Sequence, residues 1–185
     1  KKFSNQIRYD KEEKRFYASF TWLSEERPPD NFEEAFSTCY RIFNGFRPVE
    51  LLDRYQQELD ALVEAGYAEI LPNHVKSGYF IPHHPVIKPG STTAVRPVFN
   101  ASFTRKGKKS LNELLFQGAW RQTSVTELVI QWRTHKPVVF ADLKKAFLQV
   151  KLEPQERKFT RFLWFRRVGN AKSPRLMLYQ MNSVL

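Results

Sequence analysis

Apolar residues recur at helical spacing in two stretches of the first third of the chain. The first stretch places five side chains on one helical face: Phe32, Phe36, Cys39, Tyr40 and Phe43. Asp30 and Glu33 are spaced as a capping box, which predicts that this helix has Asp30 as its N-cap. The stripe of the second helix consists of Leu52, Tyr55, Leu59 and Leu62. Pro48 suits its first turn and Gly66 the position after its end. Both helices are predicted to be scaffold, with Cys39 as a core residue and not a nucleophile.

After Gly66 the pattern changes to short runs of strand-forming residues. A looser alternation over 6–23 predicts a hairpin or an extended arm before the helices. The other predicted strands cover 67–71, 79–88, 95–101, 137–141, 147–152, 160–165 and 176–181. Two more helices are expected, near 111–116 and over 125–133. This mixture of helices and strands predicts an α+β fold.

Charge is distributed unevenly along the chain. The 185 residues carry 30 Lys and Arg against 19 Asp and Glu, a net charge of +11. Residues 1–75 hold 10 basic and 14 acidic side chains, whereas residues 76–185 hold 20 basic and only 5 acidic ones. Such an asymmetry indicates that the second part meets a polyanion.

One basic segment, 157–175, has seven cations, no acidic residue and four interleaved aromatic residues, Phe159, Phe162, Trp164 and Phe165. Two interpretations are open for it. The cations and rings could bind phosphates and bases of a nucleic acid. Alternatively, the segment forms a basic surface whose rings point into the core.

Several classes of protein do not fit the composition. The apolar runs are too short to span a membrane, and the amino end shows no signal-peptide pattern. The single cysteine forms no intrachain disulfide, which fits a reducing compartment. The four histidines lack zinc-ligand spacing, and neither a Gly-rich phosphate loop nor a hydrolase elbow is present. Because the chain starts without Met and ends after an apolar run, we expect it to be a piece of a longer polypeptide.

Asp142 is the only aspartate in residues 76–185, and it follows the apolar run at 137–141. A carboxylate at the end of a buried strand is costly unless a cation or a partner meets it. The position therefore predicts a Mg²⁺ ligand, with an N-cap or turn aspartate as the alternative.

Five sequence segments occur in a fixed order along the chain, and one of them contains Asp142. They read YFIPHHPVIK at 79–88, VRPVFNAS at 95–102, SLNELL at 110–115, VFADLKKAF at 139–147 and PQERKFTRFLW at 154–164. In order and spacing they resemble the reverse transcriptases of BEL/Pao-class LTR retrotransposons, across most of residues 50–182. The first 50 residues look like the connector between protease and polymerase in such polyproteins.

The resemblance implies a role for individual residues. Asp142 matches the motif A aspartate that binds two catalytic Mg²⁺ ions, for which Mn²⁺ can substitute. Leu143 would offer its backbone carbonyl to the metal of the nucleotide, and Phe147 matches the aromatic residue that excludes a 2′-hydroxyl. Arg96 and Lys88 match the fingers residues that bind the triphosphate of the incoming deoxynucleotide.

The chain also departs from the family pattern. Asn100 stands where relatives usually have Asp, and Lys144 and Lys145 make motif A more basic than usual. The family's aromatic-x-Asp-Asp turn is not in these 185 residues. Because two-metal phosphoryl transfer needs carboxylates from both elements, we expect this chain alone to be inactive.

The implied architecture is part of a right-hand polymerase with an incomplete palm sheet: a connector over 1–47, fingers over 48–136 and the start of the palm over 137–185. The implied reaction is RNA-directed DNA synthesis from deoxynucleoside triphosphates on an RNA or DNA template-primer. The predicted backbone contacts are Arg105, Lys106, Lys108, Lys109, Arg157, Lys158 and Arg161. The rest of the pol polyprotein would be a partner and a membrane would not. A cytoplasmic location is implied, including virus-like particles and with access to the nucleus.

Two alternatives remain at the level of sequence. A non-catalytic nucleic-acid-binding remnant of a retroelement explains the charge and the aromatic residues without a second metal motif. A protein-interaction scaffold built on the two amino-terminal helices predicts no salt-dependent binding to nucleic acid.

Overall fold

The computed structural model describes residues 6–46, 49–87, 95–118, 123–139, 141–167 and 173–185. Its helices are α1 (Phe32–Gly45), α2 (Val49–Glu64), α3 (Leu111–Leu114) and α4 (Val125–Arg133). Its strands are β1 (Ile7–Asp10), β2 (Arg15–Ala18), β3 (Ala68–Leu71), β4 (His83–Ile87), β5 (Val95–Phe99), β6 (Val150–Leu152), β7 (Arg161–Arg166) and β8 (Arg175–Met181). The α+β prediction is confirmed.

The strands form three small sheets. The antiparallel hairpin β1–β2 continues into β6, which runs parallel to β2. The order of the second sheet is β3-β8-β7, all antiparallel, and β4 pairs with β5 in a separate hairpin. Helix α1 packs on β7, and α2 packs on β3 and β5. The two long helices and the second sheet therefore enclose one core.

That core is built from the predicted helical stripes. Leu52, Tyr55, Leu59 and Leu62 of α2 are all buried, and so are Cys39 and Phe43 of α1. Trp164 of β7 lies between the helices, with its ring centroid 4.8 Å from that of Tyr55 and 5.7 Å from that of Phe43. Burying one such side chain stabilises the fold by about 2 kcal/mol. Tyr40, predicted on the same face of α1, is instead 56% exposed.

The capping box predicted for α1 is wrong. The N-cap is Asn31, and its side chain makes no capping bond. The Asn31 amide instead donates to the backbone carbonyl of Phe80 at 2.9 Å and accepts from the Phe80 N–H at 2.7 Å. Asp30 accepts from the N–H groups of Phe32 and Gly78. A pairing with backbone 49 residues away therefore replaces the local cap.

The amino-terminal arm crosses to the other end of the chain. Trp22 donates its indole N–H toward the Glu156 carboxylate at 3.3 Å, and its ring lies 4.8 Å from that of Phe159. The Arg27 guanidinium lies over the same ring, 4.2 Å from its centroid. These contacts join the predicted arm to the structure that surrounds the 3-10 helix Arg157–Phe159.

None of the helices in the described residues is long and apolar enough to cross a membrane.

Candidate nucleotide and nucleic-acid site

The apolar run before Asp142 is not a strand in the residues that the structure describes. Val139 is 85% exposed and Val138 38% exposed, and neither pairs with another strand. A strand needs a neighbour for its N–H and C=O groups, and no described strand lies beside this run. The prediction for 137–141 is therefore wrong at 137–139 and 141, while residue 140 lies outside the described ranges.

The segment after Asp142 is a turn followed by a 3-10 helix, Phe147–Gln149, before β6 begins. The predicted strand at 147–152 is thus limited to its last three residues. Leu148 packs against the core, and the Gln149 side chain accepts from Arg15 and donates to the Tyr67 hydroxyl at 3.3 Å. These anchors hold the end of the segment in place. Sequence patterns gave no signal for Arg15 or Tyr67, because both are remote in the chain.

Three predicted site residues lie together in this exposed segment. Asp142 is exposed, Leu143 is 78% exposed and Phe147 is 70% exposed. No hydrogen bond or ion pair joins the Asp142 carboxylate to another described residue. Both of its oxygens are therefore free for an external ligand.

Asp142 fits Mg²⁺ as a single ligand. Mg²⁺ is commonly held by one or two carboxylates together with waters and phosphate oxygens. Within the described ranges, however, no three His, Cys, Asp or Glu residues are grouped as a metal site. The chain as described thus supplies one carboxylate and not the set that two ions require.

The other predicted nucleotide-binding residues belong to the β4–β5 hairpin. Arg96 is exposed in β5, opposite Val86 of β4. Lys88 lies outside the described residues. No hydrogen bond, ion pair or ring contact between described residues links this hairpin to the segment 141–147.

The basic loop before α3 is partly neutralised by the amino-terminal third of the chain. Arg105 forms an ion pair with Glu34, and Lys109 forms one with Glu26 at 2.7 Å. Lys106 and Lys108 are exposed and have no ion pair with any described residue. Two of the four predicted phosphate-binding cations are therefore free in this loop.

The cations of the second basic segment make mostly structural contacts. Arg157 donates to the Leu152 carbonyl at 3.1 Å and to the Asn182 side chain at 3.2 Å. Arg161 donates to the Gln180 side chain at 3.2 Å, and burial lowers the pKa of its guanidinium. Lys158 is exposed, with its Nζ 5.1 Å from the centroid of a neighbouring ring. Lys158 is thus the most accessible of the three.

The aromatic residues of this segment point into the core. Phe162 and Trp164 are 0% and 1% exposed, and Phe159 and Phe165 are each 8% exposed. They cannot stack on nucleic-acid bases without unfolding the sheet. Of the two interpretations of this segment, the inward orientation of the rings is the one that the structure supports.

Two chemically distinctive side chains are inaccessible. The Cys39 thiol donates to the Leu163 carbonyl at 3.2 Å, and burial raises its pKa to about 12, as expected for an inert core thiol. His83 is buried, with one ring nitrogen at the Tyr55 hydroxyl and the other 2.9 Å from the Leu163 carbonyl. Neither side chain is available for catalysis or metal binding.

No protein family matches the chain, and no curated protein matches it.

Proposed function

We propose that this chain is the fingers and the beginning of the palm of a reverse transcriptase of the BEL/Pao type. The observation that carries the proposal is the ordered series of five sequence segments around Asp142. The accessible, unpaired carboxylate of Asp142 supports the proposal, because a carboxylate that binds a metal ion must not be engaged by another side chain. The exposed positions of Phe147 and Arg96 are compatible with contacts to a nucleotide.

In this proposal each residue has a distinct task. Asp142 holds metal, Leu143 offers its carbonyl beside it, and Phe147 contacts the sugar of the incoming nucleotide. Arg96 binds the triphosphate through its planar, permanently charged guanidinium. When bound, Mg²⁺ would neutralise phosphate charge and orient the reacting oxygens. The 185 residues contain no Asp-Asp pair, so DNA synthesis would require carboxylates from elsewhere.

A titration of labelled RNA–DNA template-primer at several salt concentrations tests nucleic-acid binding. We expect the logarithm of the association constant to fall with the logarithm of salt concentration, by about 0.9 for each phosphate contact. Replacing Lys106 and Lys108 by Ala should make this slope less steep, by the contribution of about two phosphate contacts. The same charge change at Lys11 and Lys14 is the matched control and should leave the slope nearly unchanged. A flat slope for the unmodified chain would favour the scaffold alternative.

A second titration separates the polymerase from a non-catalytic binding remnant. Mn²⁺ broadens the NMR signals of nuclei near its binding site. With a deoxynucleoside triphosphate present, we expect selective broadening around Asp142, which Asp142→Asn should abolish. Binding of template-primer without any broadening at Asp142 would favour the remnant.

A further inference from the structure

The β4–β5 hairpin has two different faces. On one face Val95 is 2% exposed, and Phe99 packs against His83 and Phe162 with ring centroids 5.4 and 5.0 Å away. Helix α2 also packs on β5. The opposite face is formed by His84, Val86, Arg96 and Val98, and we name it the outer hairpin face. Because strand side chains alternate, these four side chains point away from the core.

Strand register places two hydrogen-bond donors near each other on the outer hairpin face. His84 pairs with Val98 and Arg96 pairs with Val86, so His84 and Arg96 are diagonal neighbours. Diagonal neighbours in an antiparallel pair lie about 7–8 Å apart, within reach of long side chains. Both residues are exposed. A chain of linked phosphates can therefore contact both side chains at once.

The sequence around the hairpin lacks any acidic residue. Residues 70–112 contain no Asp or Glu but seven Lys and Arg. Neither His84 nor Arg96 makes an ion pair or a side-chain hydrogen bond with a described residue. Their donors are thus not used by the fold, unlike those of Arg105 and Lys109. No carboxylate of this segment would therefore compete with a bound anion for these two side chains.

We propose that His84 and Arg96 together bind the phosphate chain of the incoming nucleoside triphosphate. The inference rests on the proposed function for the role of Arg96 and adds His84 as a second binding residue. The Arg96 guanidinium can donate to two oxygens of one phosphate, while an imidazole N–H of His84 donates to an oxygen of the next. Val86 and Val98 complete the surface between them without adding charge.

The four histidines provide a direct test with inorganic tripolyphosphate as the probe. In an NMR titration of the 185-residue protein, we expect the ring signals of His84 to shift saturably. His74 and His135 are exposed elsewhere and His83 is buried, so these three serve as internal controls. Equal shifts at His74, His84 and His135 would indicate nonspecific ionic binding and would overturn the inference.

Variants then assign the contribution of each side chain. We expect Arg96→Ala to weaken tripolyphosphate binding about fivefold, as the loss of one exposed charged contact would, and His84→Val about threefold, as the loss of a weaker contact would. His84→Gln retains an N–H donor and should restore most of the affinity, and His74→Ala should change nothing. If His84→Val binds as tightly as the unmodified protein, the inference fails while the role of Arg96 survives. If Arg96→Ala also has no effect, the role of Arg96 within the proposed function fails as well.

Discussion

The buried His83 should make the stability of this protein depend on pH in a predictable way. Burial lowers the pKa of the His83 imidazole from 6.5 to about 4, opposed by the hydrogen bond to the Leu163 carbonyl. A carbonyl can only accept, so Nε2 carries the proton and Nδ1 accepts from the Tyr55 hydroxyl. Both nitrogens of the neutral ring are therefore satisfied, and a second proton on Nδ1 would remove the acceptor of the Tyr55 O–H group.

The size of the effect follows from the two pKa values. The unfolded chain binds a proton at His83 as the pH falls below 6.5, whereas the folded chain does so only near 4. Each pH unit between them reduces the free energy of unfolding by about 1.36 kcal/mol, or about 3.4 kcal/mol over the whole interval. Above pH 6.5 this contribution is constant, and below pH 4 no more is lost.

Urea denaturation followed by tryptophan fluorescence, from pH 4.5 to 8, measures the effect. His83→Gln does not titrate, yet it offers one donor and one acceptor for the same two partners. We expect the variant to be less stable at pH 7, because it loses ring contacts with Phe99, Phe162 and Trp164. Between pH 6.5 and 4.5, however, the variant should lose about 2 kcal/mol less stability than the unmodified protein, because His83 titrates only in the latter.

The difference between the two proteins removes the contribution of carboxylates, which titrate in both. His74→Gln, at an exposed histidine, is the matched control and should retain the slope of the unmodified protein. Equal slopes for the His83→Gln variant and the unmodified protein would refute the assignment of a neutral, doubly bonded His83.

Three further predictions concern single side chains. The Cys39 thiol should react with an alkylating reagent at pH 8 only as fast as the protein unfolds, and fast labelling of the folded protein would contradict its burial. Desolvation raises the pKa of the Glu156 carboxyl, which means that burial disfavours its charged form. Glu156→Gln can still accept from Trp22, so in urea denaturation at pH 7 the variant should be as stable as the unmodified protein or more stable. A loss of stability above about 1 kcal/mol would mean that the charge is needed. Asp142→Asn should change the free energy of unfolding by less than about 0.5 kcal/mol, because the carboxylate has no described partner, and a larger loss would give it a structural role.

Local sequence patterns correctly predicted the elements in which the spacing of apolar residues alone determines which face is buried. The stripe of α2 and the end of that helix before Gly66, which has φ of +72°, are found as expected. The strands β7 and β8 are also confirmed, since their ends differ from those of the predicted runs by no more than one residue. In these elements, propensity and burial favour the same structure.

The wrong predictions share a different cause: each depends on which distant residues form hydrogen bonds with the segment. The capping box at Asp30 and Glu33 fails because Phe80 offers Asn31 two backbone bonds. The run at 137–141 has the composition of a buried strand, but composition does not supply the neighbouring strand that its backbone needs. Sequence spacing cannot reveal either fact, because both depend on residues distant in the chain.

The same distinction applies to charge and explains how the candidate site differs from its sequence prediction. All four cations of the basic loop look equivalent in sequence, but Glu34 and Glu26 engage Arg105 and Lys109. An ion pair between exposed groups contributes at most about 1 kcal/mol, so a polyanion could still displace these glutamates. Binding through Arg105 or Lys109 must then break a pair, whereas binding through Lys106 or Lys108 breaks none. If the loop contacts template-primer, the two unpaired lysines should therefore carry most of its salt dependence.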